Sequence, residues 1–179
     1  MQAAVRLTPE IPMLKTERLR LRGHRENDFA ACCAMWADPI VVRHTTSKPQ
    51  TPEEVWMKML RYAGLWSLVG YGYWAVEEQA SGEFVGELGF ADFKRDVLPS
   101  LDDMPEVGWA FVSRVHGKGY ATEAVKAVVA WGDQRFGDRH TCCIIHPDNA
   151  ASIRVAGKCG YTDWQSGTYK EHSVLILRR

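Results

Sequence analysis

Alternation is the first signal along this chain. In "TERLRLR" (16–22), Leu19 and Leu21 fall on one face and the arginines on the other, which predicts a strand. The run "ENDFAACCAMWADP" then sets Phe29, Cys32, Cys33 and Trp36 at helical spacing, and Asp38-Pro39 is expected to stop that helix. A second helix is predicted in "SKPQTPEEVWMKMLRYAGLW". Thr51 is its cap, Pro52 takes the first position, and Glu53 and Glu54 lie in the first turn. Its apolar stripe is Val55, Met59, Tyr62 and Trp66.

The pattern then changes period. "YGYWAVEEQ" (71–79) and "GEFVGELGFADF" (82–93) read as strands joined by Ala80-Ser81-Gly82, an antiparallel hairpin. After a polar loop, "EVGWAFV" (106–112) is another strand. "ATEAVKAVVAWGDQRFG" predicts an amphipathic helix with Ala124, Val125, Val128, Val129 and Trp131 inward and Gly137 at its end. "HTCCIIH" (140–146) reads as a short buried strand. "PDNAASIRVAGKCGY" reads as a helix from near Asn149 to Gly160, and "HSVLILR" as a final strand. The order β-α-α-β-β-β-α-β-α-β, with no repeat and no linker, predicts one α/β domain with a mixed, mostly antiparallel sheet. Residues 1–13 are expected to be a leader outside the core, and 14–179 the domain.

Composition narrows the function. A length of 179 residues suits one domain with a real core. Lys+Arg and Asp+Glu are both 22, so charge gives no reason to expect nucleic acid or an anionic membrane as partner. No stretch approaches the roughly 20 apolar residues of a membrane helix, and "MQAAVRLTPEIP" lacks the apolar core of a signal peptide. A cytoplasmic protein is expected. The five cysteines, at 32, 33, 142, 143 and 159, show no CxxC spacing and are expected to be small buried hydrophobes. The six histidines show no ligand spacing, so no metal is expected.

Candidate chemistry concentrates in "RVHGKGYATEA" (114–124), two glycines between a strand and a helix. Glycine lets backbone N–H groups converge on one concavity, and a helix N-terminus adds partial positive charge, so the segment suits a phosphate. A Walker loop fails because Gly119 follows Lys118 and Val112 stands where its first glycine belongs. The dinucleotide fingerprint fails because Thr122 takes the third glycine position. The pattern Gln/Arg-x-x-Gly-x-Gly/Ala is met in full by Arg114 to Gly119.

That loop resembles the acetyl-CoA pyrophosphate loop of the GNAT N-acetyltransferase superfamily. "LKTERLRLR", "EVGWAFV", "GKGYATEA" and "NAASIRVAGKCGY" are similar, in order and spacing, to the signatures of its RimJ/RimL-like branch, over roughly residues 14–178. The resemblance implies a GNAT-like sheet whose splayed strands hold acetyl-CoA. The pyrophosphate would rest on amides from His116 through Ala121 (His116, Gly117, Lys118, Gly119, Tyr120, Ala121), with Arg114 in the motif and the Thr122 hydroxyl nearby. The pantetheine arm would pair with Phe111 and Val112, and Asn149 and Ser152 would face the arm and its sulfur. Relatives often place a tyrosine seven residues after this asparagine as general acid. Here that position is Ala156, which shifts the role to Ser152.

Acetyl transfer to an amine needs a base, an oxyanion donor and an acid for the leaving thiol. Glu106 is the candidate base, with Gly108 and Ala110 on its face of the strand; a solvated place at the strand's entrance or a pairing with arginine is its competing role, and Glu87, Asp92 and a water chain to bulk are rivals. The oxyanion donor is expected to be the N–H of Val112 or its neighbour. Trp36, Trp56, Trp66 and Trp74 lie where the family shapes its acceptor pocket, although ordinary core packing is the favoured reading of them. The expected activity is N-acetylation of a primary amine, on a small molecule or a protein N-terminus, with a homodimer common in the family. A non-catalytic acyl-CoA sensor and a structural interaction protein are the competing classes.

Overall fold

A computed structural model describes residues 10–101 and 104–179. Its strands are β1 (Leu14–Lys15), β2 (Leu19–Arg22), β3 (Tyr73–Glu78), β4 (Phe84–Ala91), β5 (Val97–Leu98), β6 (Glu106–Phe111), β7 (Cys142–Ile145), β8 (Asp163–Tyr169) and β9 (His172–Arg178). The helices are α1 (Phe29–Ala37), α2 (Pro39–Val42), α3 (Pro52–Val69), α4 (Tyr120–Phe136) and α5 (Ala150–Lys158). The strands form one sheet in the order β1-β2-β3-β4-β6-β7-β9-β8-β5. Its pairings are antiparallel except β6 with β7.

Helices cover both faces. On one, α4 buries Ala124, Val125, Val128 and Val129 against Leu19, Leu21, Val76, Leu88 and Val107. On the other, Cys32, Met35 and Trp36 of α1 meet Val55 and Met59 of α3 above Ala110. Thr51 caps α3 as expected, its hydroxyl accepting from the Glu54 N–H while the Glu54 carboxylate accepts from the Thr51 N–H. Trp66, Trp74 and Trp131 pack edge to face in the core, which assigns Trp66 and Trp74 to packing.

Several elements differ from the pattern-based reading. Asp38-Pro39 ends α1 but also starts α2, because the Asp38 carboxylate accepts from the Ile40 N–H and Pro39 suits a first helical position. The polar loop contains β5, paired with β8, and β8 itself carries no apolar alternation to announce it. The end of the expected leader joins the fold: Ile11 packs on the core, and Trp74 Nε1 donates to the Pro12 carbonyl at 2.7 Å. Residues 1–9 of that leader lie outside the described residues. The arginine face of β2 is solvated only in part, with Arg20 half-exposed. Arg22 is buried, donating to both oxygens of Asp28 at 2.7 Å and to Glu77 at 2.7 Å.

Candidate active site

β6 and β7 are joined by one rung, Glu106 beside Cys142, where the Cys142 N–H donates to the Pro105 carbonyl at 3.1 Å. Beyond it they part, while β6 stays paired to β4 as far as Phe111 opposite Gly86. Alternate residues of an antiparallel ladder turn their main-chain groups to opposite edges. The Val112 N–H donates to the Val85 carbonyl at 3.0 Å, so it is spent within the sheet. Phe111, one residue back, therefore turns its N–H and C=O into the gap. His116 Nε2 meets that carbonyl at 2.9 Å.

Past β6 the chain makes one tight turn over Ser113–Val115 and reaches Gly117 at φ +75° and Gly119 at φ +83°. A side chain is strained at either angle, which is why glycine serves here. Gly119 caps α4 without a side-chain hydrogen bond. The N–H groups of Gly119, Tyr120, Ala121 and Thr122 thus have no partner within the helix, and a Cβ built at Gly117 would meet nothing within 4 Å. The cradle is smaller than the sequence suggested. The His116 N–H goes to the Ser113 carbonyl at 3.0 Å and the Lys118 N–H to the Val115 carbonyl at 3.3 Å. Arg114 is committed to Glu83 at 2.7 Å, and the buried Tyr120 ring sends its hydroxyl to Glu78. Free amides at a helix N-terminus fit a diphosphate.

The start of the chain anchors this loop, a role the sequence alone did not reveal. Arg18 Nη1 donates to the Lys118 carbonyl at 2.9 Å, and Arg18 Nε to Glu123 at 2.7 Å. The Arg18 N–H and the Thr16 hydroxyl donate to the same carboxylate.

Asn149 and Ser152 open α5. Asn149 Oδ1 accepts the Ser152 N–H at 3.1 Å, so the asparagine is a helix cap and still keeps its amide N–H₂. The Ser152 hydroxyl is partly exposed and has no partner among the described residues. Ala156 is fully buried. Cys159 Sγ lies 3.9 Å from the Thr122 carbonyl, tying the end of α5 to the first turn of α4.

The face under α1 and α3 holds the carboxylates. Burial lifts the Glu106 carboxyl above its ordinary range, outweighing Arg95, whose Nε and Nη2 donate to it at 2.7 and 3.2 Å. It lines a small cavity with Ala91, Phe93, Arg95, Leu101 and Met104. Glu87, opposite Ala110 in register, is 1% exposed and accepts from Trp36 Nε1 at 3.0 Å and the Tyr62 hydroxyl at 2.8 Å. Burial opposes its charge, but His24, Lys58 and Tyr62 outweigh that and hold it below the usual range. Asp92 is likewise held low by Lys94, 2.7 Å away, against burial. His24, Cys32 and Glu87 bring ligand-type atoms within 4.8 Å of one another, yet burial pushes the Cys32 thiol far up, so it stays protonated. Between the carboxylates lies Gly108, where a Cβ would sit 2.1 Å from the Tyr73 hydroxyl.

The strand pair that opens beyond one rung, the glycine turn and the bare helix end all lie within the stretch that a family model matches. The model for the acetyltransferase (GNAT) domain covers residues 18–162. The chain belongs to the GNAT acetyltransferase family. This GNAT chain is 33% identical over 153 residues to the uncharacterized protein YkkB of Bacillus subtilis (strain 168), covering 82% of this chain and 83% of that one. A GNAT-family acetyltransferase structure from Bordetella pertussis superposes with a TM-score of 0.82 at 27% identity, covering 94% of this chain and 99% of that one. At 18% identity, RimL, a ribosomal L7/L12 α-N-protein acetyltransferase in complex with coenzyme A, shares the GNAT fold with a TM-score of 0.74, covering 94% and 97%.

Proposed function

We propose that this GNAT protein is a cytoplasmic, RimJ/RimL-like N-acetyltransferase that uses acetyl-CoA and a primary amine in one ternary complex. The observation that carries this reading is the bare N-terminus of α4 beside the gap between β6 and β7. The amides of Gly117, Gly119, Tyr120 and Ala121 would hold the diphosphate, with Thr122 beside them. The Asn149 amide would face the pantetheine arm, whose thioester end would lie beside Phe111. The resemblance of the fold to that of RimL, whose structure contains coenzyme A, supports the choice of cofactor. Bound there, acetyl-CoA supplies an activated acetyl thioester.

The chain's own groups divide the remaining work. The amine must lose a proton before it can attack. Glu106 is the base of choice because its carboxyl is raised by burial and borders a cavity that can hold water. Glu87 is sealed and held low, and Asp92 is held low by its lysine, so both rivals are weaker bases. The Phe111 N–H, turned into the gap, can donate to an oxygen as it gains negative charge. Ser152 Oγ–H can donate to a departing thiolate and relay to it the proton that the acylated nitrogen gives up, so that the serine ends neutral.

Calorimetric titration with acetyl-CoA and a thiol-release assay over a panel of amines test this reading. Binding and turnover are expected, and Gly117→Glu should weaken coenzyme binding at least about tenfold by setting a carboxylate against diphosphate. Binding without thiol release from any amine would leave an acyl-CoA sensor. No binding at all would end the reading.

A further inference from the structure

The face of the sheet that bears Gly108 and Ala110 also carries positive charge that the catalytic argument does not use. Lys58 Nζ lies 3.5 Å from the centroid of the Trp36 ring. Trp36 packs with Ala110 and bonds Glu87, Ala110's register partner, so one side chain separates Lys58 from β6. Arg61 follows Lys58 by three residues on α3, on the same side of the helix. Its guanidinium lies 4.7 Å from the centroid of the Phe93 ring, and that of Arg95 lies 4.6 Å from the same ring. Phe93 thus gathers two guanidiniums at the edge of the cavity that Glu106 lines.

Among the described residues, Lys58 and Arg61 form no ion pair with a carboxylate, whereas Arg95 is spent on Glu106. Lys58, Arg61 and Arg95 face Glu87 and Glu106, so one positive charge stands over. Burial draws the Lys58 ammonium down to about 8, with Glu87 opposing and the two arginines adding to the effect. A cation held out of water without a counter-ion is costly, and an anion brought by a ligand relieves that cost.

We propose that Lys58 and Arg61, backed by Arg95, form an anion subsite and that the amine acetylated here carries a carboxylate. The inference rests on the acetyltransferase reading above and narrows its acceptor class. Two sources share this chemistry, the α-carboxylate of a free amino acid and an acidic side chain near a peptide N-terminus. Each would set a carboxylate beside Lys58 and Arg61 while its amine faces the cavity that Glu106 lines.

The test compares matched acceptors in the thiol-release assay: an L-amino acid against its amide, and a peptide amide with Asp at its second position against the same peptide with Asn. The carboxylate member of at least one pair should be favoured about tenfold or more in kcat/KM, and which pair responds identifies the source. In Lys58→Met and in Arg61→Met the ratio should fall toward one, with folding checked by circular dichroism. Equal turnover of both members of both pairs overturns the proposal, as does a preference that survives both substitutions. If no amine releases thiol, the N-acetylated forms of the same acceptors are titrated calorimetrically. Selective binding of the acidic members, lost in both variants, then upholds the subsite although acetyl transfer has failed. Indiscriminate or undetectable binding rejects it.

Discussion

Arg18 and Glu123 lie 105 residues apart in sequence and are joined by two hydrogen bonds, from the Arg18 main-chain N–H at 2.8 Å and from its Nε at 2.7 Å. The pair fixes the turn between β1 and β2 to the first turn of α4. Because the same guanidinium also holds the Lys118 carbonyl, it fixes the angle at which the glycine turn meets the helix. The "LKTERLRLR" stretch therefore braces the loop proposed to hold the diphosphate, although it contributes no amide to it.

That separates two effects of Arg18→Ala. Its side chain is 40% exposed, so the lost ion pair should cost only about 0.5–1 kcal/mol of stability. Coenzyme affinity should drop more, on the order of tenfold, because the loop loses its preset angle. Thermal melts and calorimetry on the same preparation check this. A fall in stability with unchanged affinity would show that the loop needs no such brace.

Glu106→Gln should lower kcat by about 10²–10⁴ with coenzyme affinity unchanged, if the carboxylate accepts the proton of the amine. The direction of the pH effect follows from its environment. Only the ionised form is a base, and burial raises its folded-state value, so the acid limb of kcat/KM should lie above the range of an exposed glutamate, about 4.3. Activity falls as pH drops through that limb, and the limb should vanish in the glutamine variant. A limb that persists unchanged would transfer the role to another group.

Much of this arrangement was legible in the residues. The Thr51–Glu54 cap, the hairpin around Gly82 and the inward stripe of α4 each obey a local rule strong enough to survive folding. The left-handed glycines could be read because few other residues tolerate that backbone. What stayed hidden was non-local. Arg22, Glu77 and Glu87 look like the polar side of alternating strands until α1 and α3 cover them. The division of the loop's amides between turn bonds and free donors depends on backbone angles that no residue type dictates. The described side chains of β8 are largely exposed and so show no apolar period; its pairing with β9 and β5 defines it.

Asp28 shows what those hidden charges do. It accepts both terminal nitrogens of Arg22 and the Arg25 N–H, each at 2.7 Å, and so fixes the loop that delivers α1, with Trp36 and Cys32, onto the sheet. Burial works to raise its carboxyl, but Arg22 and the Arg25 N–H outweigh that and hold it low. A carboxylate lowered by folding contributes stability above its unfolded value, about 3.9, and loses it as pH falls through the folded value. Asp28→Asn leaves Arg22 buried with only Glu77 as counter-ion and should cost about 3 kcal/mol at neutral pH. The variant should also lose part of the acid dependence, since the group that titrates is gone. Urea midpoints of both proteins at neutral pH and well below the unfolded value test it: the gap between them should narrow as pH falls toward the folded value. A gap that keeps its size would mean that Asp28 serves the loop by shape and not by charge.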